Sequence, residues 1–156
     1  GVKRIDPKLS NEYERTILKG SEVLVNVRGT LGGVALVPAQ MANWNISREV
    51  AMVAIDSLKA NPEYISLFIS SKTSQSWLNR NTKGAAYQGI NLSDLRKLPI
   101  LLPNHEFQRN VVSKFKLLDH QVEIAKESIK KILNELENLK KAVLFQELNQ
   151  PNSIAL

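Results

Sequence analysis

Residues 115–143, FKLLDHQVEIAKESIKKILNELENLKKAV, contain a seven-residue repeat of apolar side chains. The a positions hold Phe115, Val122, Ile129, Leu136 and Val143, and the d positions hold Leu118, Ala125, Ile132 and Leu139. A repeat sustained for about four heptads predicts a helix with one apolar seam that pairs with a second helix. A helix over 111–148 would be roughly 57 Å long at about 1.5 Å per residue. Because this is too long for the core of a small domain, the preceding residues must supply any further function.

Composition is that of a folded protein outside the membrane. The chain has 156 residues, of which 43% are hydrophobic and 23% charged. No stretch approaches the roughly 18 consecutive apolar residues of a membrane span. The absence of cysteine excludes disulfides and thiolate metal sites, and nothing in the sequence reads as a signal peptide. We therefore expect a cytoplasmic protein.

The positive charge is concentrated in the part of the chain that precedes the heptads. Residues 1–104 hold 13 Lys and Arg against 8 Asp and Glu, a surplus of +5, whereas residues 105–156 hold 8 against 7. An anionic partner such as DNA would meet the first part, and the nearly neutral helix would face protein. The alternative is that this modest basicity only aids solubility.

Local patterns predict a small mixed domain before the helix. Two β-branched runs, 23–27 and 34–37, flank the glycine-rich stretch RGTLGG (28–33) and read as a strand, a turn and a strand. The apolar run 50–55 predicts a third, buried strand.

Capping signals and prolines mark the elements that follow. Asn61 and Pro62 predict the start of a helix over 62–78, followed by a polar loop at 79–89. A short capped turn is predicted at 91–96 and an edge strand at 98–102, between two prolines. Asn104 is expected to cap the long helix. The predicted fold class is α+β, with a mixed domain over 1–103, the long helix over 104–150 and a tail over 151–156.

No set of residues predicts catalysis or metal binding. His105 and His120 have no carboxylate or second histidine at ligand spacing. The segment Asn61-Pro62-Glu63-Tyr64 is similar to the Asn-Pro-Pro-aromatic loop of amino-methyltransferases, but it lacks the second proline and a preceding glycine-rich cofactor loop. We favour helix capping for this segment, and core packing for Trp44 and Trp77. A fragment of a methyltransferase is the weaker hypothesis for the function of this chain.

Polar loops of the first part carry side chains suited to reading DNA. Arginine pairs with guanine, asparagine and glutamine pair with adenine, and lysine and tyrosine reach phosphates. The candidate DNA-binding residues are Arg28, Thr30, Arg48, Arg80, Asn81, Lys83, Tyr87, Gln88 and Asn91. On composition alone, solvated loops are the preferred explanation of these residues.

The order of the segments resembles the specificity subunit of type I restriction-modification enzymes. The resemblance runs from Lys19 to Leu148 through KGSEVLVNVRGTLGGVALVP, ISREVAMVAI, YISLFISSK, KGAAYQGINLSDLRKLPILLPNHEFQRNVV and NLKKAVLFQEL. Its most specific part is the stretch 89–103 followed by Gln108, which is similar to the family's junction between a target recognition domain and its conserved helix. The order and spacing of these pieces carry the resemblance.

The resemblance implies a non-catalytic reader of double-stranded DNA. In that family two recognition domains each bind half of a split site, and two long helices pair antiparallel as a ruler between them. The partners are modification subunits, which bind S-adenosylmethionine and methylate adenine, and a restriction subunit that cleaves DNA with ATP and Mg. No cofactor is then expected in this chain.

This chain departs from the pattern, since it has one recognition region and one helix and lacks the family's opening strands. It is then either a fragment or a half-subunit that pairs its helix with a homodimer mate. The alternative function is a coiled-coil adaptor whose globular part binds protein rather than DNA.

Overall fold

The computed structural model describes residues 4–84 and 89–149 of the chain. Two compact units lie within residues 1–112 and 113–156. The elements in chain order are α1 (Pro7–Glu12), a 3-10 turn (Glu14–Thr16), β1 (Val23–Asn26), β2 (Val34–Leu36), a second 3-10 turn (Ala39–Met41), β3 (Val50–Val53), α2 (Pro62–Ser70), α3 (Lys72–Arg80), α4 (Leu92–Leu95) and α5 (His105–Leu148). The predicted α+β class, with a small mixed domain and a long C-terminal helix, is confirmed.

The three strands form an antiparallel sheet in the order β2-β1-β3. The hairpin predicted around RGTLGG joins β1 to β2 and places Val25 opposite Val34. Gly29 and Gly32 adopt positive φ angles of 69° and 79°, a region that glycine enters without steric cost. The turn is closed by the Gly32 N–H, which donates to the carbonyl of Asn26 at 3.1 Å. The glycine spacing therefore predicted the hairpin correctly.

The third strand differs from its prediction in length and burial. It ends at Val53, two residues before the predicted end, and only Ala51 within it is buried. The reason is its place in the sheet, because among the described residues β3 pairs with β1 alone. The prediction of a buried strand is therefore wrong, and β3 is an edge strand.

The predicted helix over 62–78 is two helices. Asn61 caps the first one as predicted, since its Oδ1 accepts hydrogen bonds from the N–H groups of Glu63 and Tyr64 at 2.8 and 3.3 Å. The chain breaks at Ser71, whose backbone is extended (ψ 152°) and whose hydroxyl accepts from the Ser74 N–H at 3.4 Å. Serine competes in this way with helical hydrogen bonding, and the second helix runs to Arg80.

The predicted edge strand at 98–102 is absent. Pro99 and Pro103 remove two backbone donors, and side chains anchor the segment instead of a strand ladder. Ile100 packs against the core, and the Tyr64 hydroxyl donates to the Leu101 carbonyl at 3.0 Å. The long helix then begins as predicted, because Asn104 Oδ1 accepts from the Phe107 N–H at 2.9 Å.

A single apolar core holds the first unit together. The buried side chains come from β1, β3, α2, α3, α4 and the first turns of α5. They include Val23, Val25, Ile69, Leu78 and Val112. Trp77 packs against this core as predicted. Trp44 does not belong to it and is 39% exposed, so that prediction is wrong: Asn43, with a φ of 68°, turns the chain just before it.

The second unit is described by the continuing turns of α5. The helix reaches Leu148, as the heptads predicted. The large a and d side chains are between 48% and 60% exposed. None of the described helices is long and apolar enough to cross a membrane. Pairing of the seam with a second helix stays a prediction.

Candidate nucleic-acid interface

The end of the β1–β2 hairpin lies beside the loop that follows α3. Arg28 and Lys83 both form isolated β-bridges with Gly89. The Lys83 N–H donates to the Gly89 carbonyl at 2.9 Å, and the Gly89 N–H donates back at 3.0 Å. The Ile90 N–H donates to the Val27 carbonyl at 2.9 Å. Two loops that are far apart in sequence are therefore held together by backbone hydrogen bonds.

A groove of about 860 Å³ opens next to this junction. Its lining comes from the first 3-10 turn, the 46–48 stretch, β3, and the residues from Ile90 to Ile100. Ala51, Ile69, Ile90 and Leu95 are buried and form an apolar floor. Arg15, Arg28, Arg48 and Arg96 are exposed and form the margin. We call this feature the arginine groove.

The structure brings some of the predicted DNA-binding residues together and leaves others apart. Arg28, Arg48 and Asn91 line the arginine groove. Thr30 is exposed in the hairpin turn and Arg80 is exposed at the end of α3, both outside the groove lining. Tyr87 and Gln88 lie outside the described residues. Of the nine candidates, three of the seven that are described thus line the groove.

Two further candidates already have intramolecular partners. Asn81 donates from Nδ2 to the Trp77 carbonyl at 2.8 Å, an interaction that closes the end of α3. Lys83 Nζ lies 3.2 Å from Asp94 Oδ2, and Lys97 Nζ lies 3.0 Å from the other oxygen. Hydrogen bonds from Lys97 and then Lys83 hold the pKa of Asp94 below its usual value. The charge of Lys83 is therefore partly neutralised within the chain.

Sequence reasoning missed two of the four arginines. Arg15 lies in the turn Glu14–Thr16, and Arg96 is the C-cap of α4. Arg15 precedes every segment to which a function was attached, and Arg96 sits inside the LSDLRK stretch, which reads as a capped turn. No local signal joins either residue to Arg28 or Arg48, because contacts between distant segments assemble the groove.

The charges at the groove are of one sign. Every ionisable residue among the described residues of its lining is an arginine. Arg15, Arg28 and Arg96 form no ion pair with any described residue. Arg48 Nε is 3.6 Å from Glu49 Oε1, with the Arg48 side chain largely exposed and the Glu49 side chain about half-buried. A hydrogen bond from Ser47 is the main cause that lowers the pKa of Glu49. The groove can therefore bind an anion through guanidinium groups.

The two histidines do not contribute to this surface. His105 Nε2 lies 2.8 Å from the Leu58 carbonyl oxygen and so links the start of α5 to the loop before α2. His120 is exposed on α5. Within 4–84 and 89–149 no three His, Cys, Asp or Glu residues are grouped so that they could hold a metal ion. The arginine groove is thus the feature of the described chain best suited to binding.

The described chain thus combines a small mixed domain that has a basic groove with a long helix that has an exposed apolar seam. Residues 4–138 match the model of the type I restriction modification DNA specificity domain. The chain therefore belongs to this family, and DNA sequence recognition is the role that the family supports.

The chain is similar to known proteins in sequence and in fold. The chain is 25% identical over 143 residues to the specificity subunit of the type I restriction enzyme EcoBI of Escherichia coli; this match covers 92% of the chain and 30% of that subunit. The HsdS subunit from Thermoanaerobacter tengcongensis has the same fold, with a TM-score of 0.70 and 20% identity over 90% of this chain and 36% of that one. The S subunit from M. genitalium matches with a TM-score of 0.55 and 20% identity, over 70% and 29% of the two chains.

Proposed function

We propose that this chain is the DNA-reading part of a type I specificity subunit, and that the arginine groove and its neighbouring loops contact double-stranded DNA. The observation that carries the proposal is the groove itself, whose lining, as far as residues 4–84 and 89–149 form it, has four arginines and no carboxylate. A carboxylate there would repel phosphate and would neutralise the guanidinium groups. A basic surface of this kind supplies the electrostatic part of DNA affinity.

Base readout is assigned to the polar residues that meet at the groove. Arg28 and Arg48 can each form two hydrogen bonds to guanine, and Asn91 can do the same with adenine. Asn91 is exposed, and its side chain makes no capping bond to α4, so its amide is available. Thr30 and Arg80 are also exposed. They lie close in sequence to Arg28 and Lys83, respectively, and we assign them to the same contact surface.

The long helix is assigned to spacing and assembly. Its exposed seam supports pairing with a second long helix, either from the same subunit or from a homodimer mate. Paired helices would hold two recognition domains at a fixed separation on a bipartite site. The proposed partners are the modification subunits, with S-adenosylmethionine, and the restriction subunit, with ATP and Mg. No cofactor is assigned to this chain, and its place is the cytoplasm.

The proposal is tested by measuring binding of the chain to a short fluorescent duplex of random sequence while the salt concentration is raised. We expect affinity to fall linearly with salt on logarithmic axes, because each neutralised phosphate releases counterion. A folded chain without salt-dependent binding would contradict the proposal and favour the protein-binding adaptor. In parallel, calorimetry with S-adenosylmethionine should detect no binding, and a measurable affinity would contradict the non-catalytic assignment.

A further inference from the structure

Basic side chains of the first unit differ in whether a carboxylate of the chain compensates their charge. Lys59 lies 3.3 Å from Asp56, and Lys83 and Lys97 share Asp94. These three lysines have carboxylate partners within the chain, whereas the other described lysines before α5 form no ion pair with any described residue. Three of the four groove arginines also have none among the described residues, and they line one groove. A set of like charges without internal compensation is suited to an external polyanion.

Arg15 is fixed beside Arg48 by contacts between their neighbours. The Asn45 Nδ2 group donates to Thr16 Oγ1 at 3.0 Å, and the Ile46 N–H donates to the Thr16 carbonyl at 3.0 Å. Asn45 is itself held, because its Oδ1 accepts from the Ser10 hydroxyl at 2.7 Å. The two arginines are therefore carried by segments that cannot move apart without breaking these bonds.

Arg96 is fixed relative to Arg28 in a similar way. The Ile90 N–H donates to the carbonyl of Val27, which is the residue before Arg28. Ile90 in turn precedes Asn91, the N-cap of α4. Arg96 closes α4 through its N–H, which donates to the Leu92 carbonyl at 3.0 Å. The groove margin thus consists of two pairs of arginines, Arg15 with Arg48 and Arg28 with Arg96. In each pair, hydrogen bonds between neighbouring residues hold together the two segments that carry the arginines.

We propose that Arg15 and Arg96 bind backbone phosphates of the DNA and, together with Arg28 and Arg48, orient the duplex at the groove. This inference rests on the proposed function. Guanidinium groups bind phosphate through two parallel hydrogen bonds, and duplex DNA offers one charge per roughly 1.7 Å of helix axis. The +5 surplus of residues 1–104 favours a polyanion over a single acidic side chain. Phosphate contacts fix the register and orientation of a duplex without reading its sequence, so Arg15 and Arg96 are assigned a positioning role.

The test uses the whole 156-residue chain and the random-sequence duplex. The variants are Arg15→Ala, Arg96→Ala and the double variant, with Arg109→Ala as the control. Arg109 is exposed on α5 and lies outside the groove lining. Its replacement by alanine removes one positive charge, as each single groove variant does. Each groove variant should reduce the logarithmic salt slope by about one and lower affinity roughly eightfold at 0.1 M salt, and the double variant should reduce the slope by about two.

Three further results separate the possible explanations. Arg15→Lys and Arg96→Lys should retain most of the slope, which a purely structural role of arginine would not allow. If the unmodified chain binds no DNA, the proposed function itself fails. If it binds DNA but both alanine variants match Arg109→Ala, this inference alone is overturned.

The apolar floor makes an acidic polypeptide the other occupant to test. Polyglutamate is therefore added as a competitor of the duplex. If the two alanine variants lose binding of polyglutamate but keep the full salt slope on DNA, the groove is a protein-docking site and the inference is wrong. We expect the reverse, with the variants losing DNA affinity and polyglutamate competing only weakly. Urea unfolding of every variant checks that the fold is intact.

Discussion

The side chain of Gln108 joins the first turns of α5 to the backbone of Asn61, the residue that caps α2. Its Oε1 accepts from the Asn61 N–H at 2.7 Å, and its Nε2 donates to the Pro103 carbonyl at 2.7 Å. The side chain is 0% exposed. A buried amide with both ends satisfied is stable, but removal of its polar groups leaves their partners unpaired. Gln108 therefore fixes where α5 starts relative to α2.

Replacement of Gln108 by Met should destabilise the protein by about 2 to 4 kcal/mol, since it keeps the size of the side chain but leaves two backbone groups without partners, at about 1 to 3 kcal/mol each. Urea unfolding followed by tryptophan fluorescence measures the change. Arg109→Met is the matched control, because Arg109 is exposed on the same turn. Equal stabilities of the two variants would show that the Gln108 hydrogen bonds contribute nothing.

The two positive-φ glycines of the hairpin should respond differently to alanine. A Cβ at Gly32 would lie 2.2 Å from Oε1 of Gln75, whereas a Cβ at Gly29 would meet nothing within 4 Å. Gln75 cannot move freely, since its Nε2 donates to the carbonyls of Gly32 and Ile69 at 2.9 Å each. Gly29→Ala should cost about 1 kcal/mol for the left-handed backbone, and Gly32→Ala about 2 to 3 kcal/mol because these hydrogen bonds are also disturbed. Thermal or urea unfolding measures the loss of stability of each variant. Equal losses would refute a role for Gln75.

Asp94 should make the stability of the first unit depend on pH. Its pKa in the folded chain is depressed below the ordinary value of 3.8, first by the hydrogen bond from Lys97 and then by that from Lys83. The stabilisation is therefore present above about pH 4 and is lost as the pH falls through the folded pKa. Asp94→Asn should be less stable than the unmodified chain at pH 7, and the difference should shrink in acid. A difference that persists unchanged at low pH would contradict this assignment.

Local chemistry explains which elements could be predicted from sequence. The hairpin, the Asn61 and Asn104 caps and the extent of α5 each depend on residues that are adjacent or repeat at a fixed spacing. The break at Ser71 was missed because its capping bond to Ser74 competes with an otherwise continuous helical pattern. The segment 98–102 has the composition of a strand, but its contact with Tyr64 connects residues 37 positions apart.

The candidate site was less predictable because its residues come from separate segments. Composition indicated that arginines of the first part bind an anion, and Arg28, Arg48 and Asn91 do line one groove. The segment of Arg15 is held at that groove by long-range contacts such as the pairing of Ile17 with Asn45, and the segment of Arg96 by contacts such as the bond between Val27 and Ile90. The pairing of Lys83 with Asp94 also depends on tertiary structure. Because Asp94 partly neutralises Lys83, we expect this lysine to contribute less to DNA affinity than the loop sequence alone indicates.

Lys83 and Arg28 should therefore contribute unequally to DNA affinity. Arg28→Ala should cost about 1 to 3 kcal/mol on the cognate site, as expected for the loss of its two hydrogen bonds to guanine. Lys83→Ala should have a smaller effect, because Asp94 already lies 3.2 Å from its ammonium group. In an Asp94→Asn background the effect of Lys83→Ala should increase. A full effect of Lys83→Ala in the unmodified chain would show that DNA displaces Asp94 from the lysine.

The seam of α5 should drive association of the chain through its second unit. Ile132 occupies a d position and is 54% exposed, so pairing would bury it against a partner helix. Ile132→Asp places a charge in that interface, which should weaken association by several kcal/mol, on the order of the penalty for burying an uncompensated ion. Asn134→Asp is the matched control, since it adds the same charge two residues away at the outward f position. Sedimentation equilibrium over a range of protein concentrations measures the mass. We expect the unmodified chain and Asn134→Asp to associate at concentrations where Ile132→Asp is monomeric. If all three proteins have the same mass at every concentration, the seam does not join two copies of this chain, and a second helix within a longer subunit is its remaining partner.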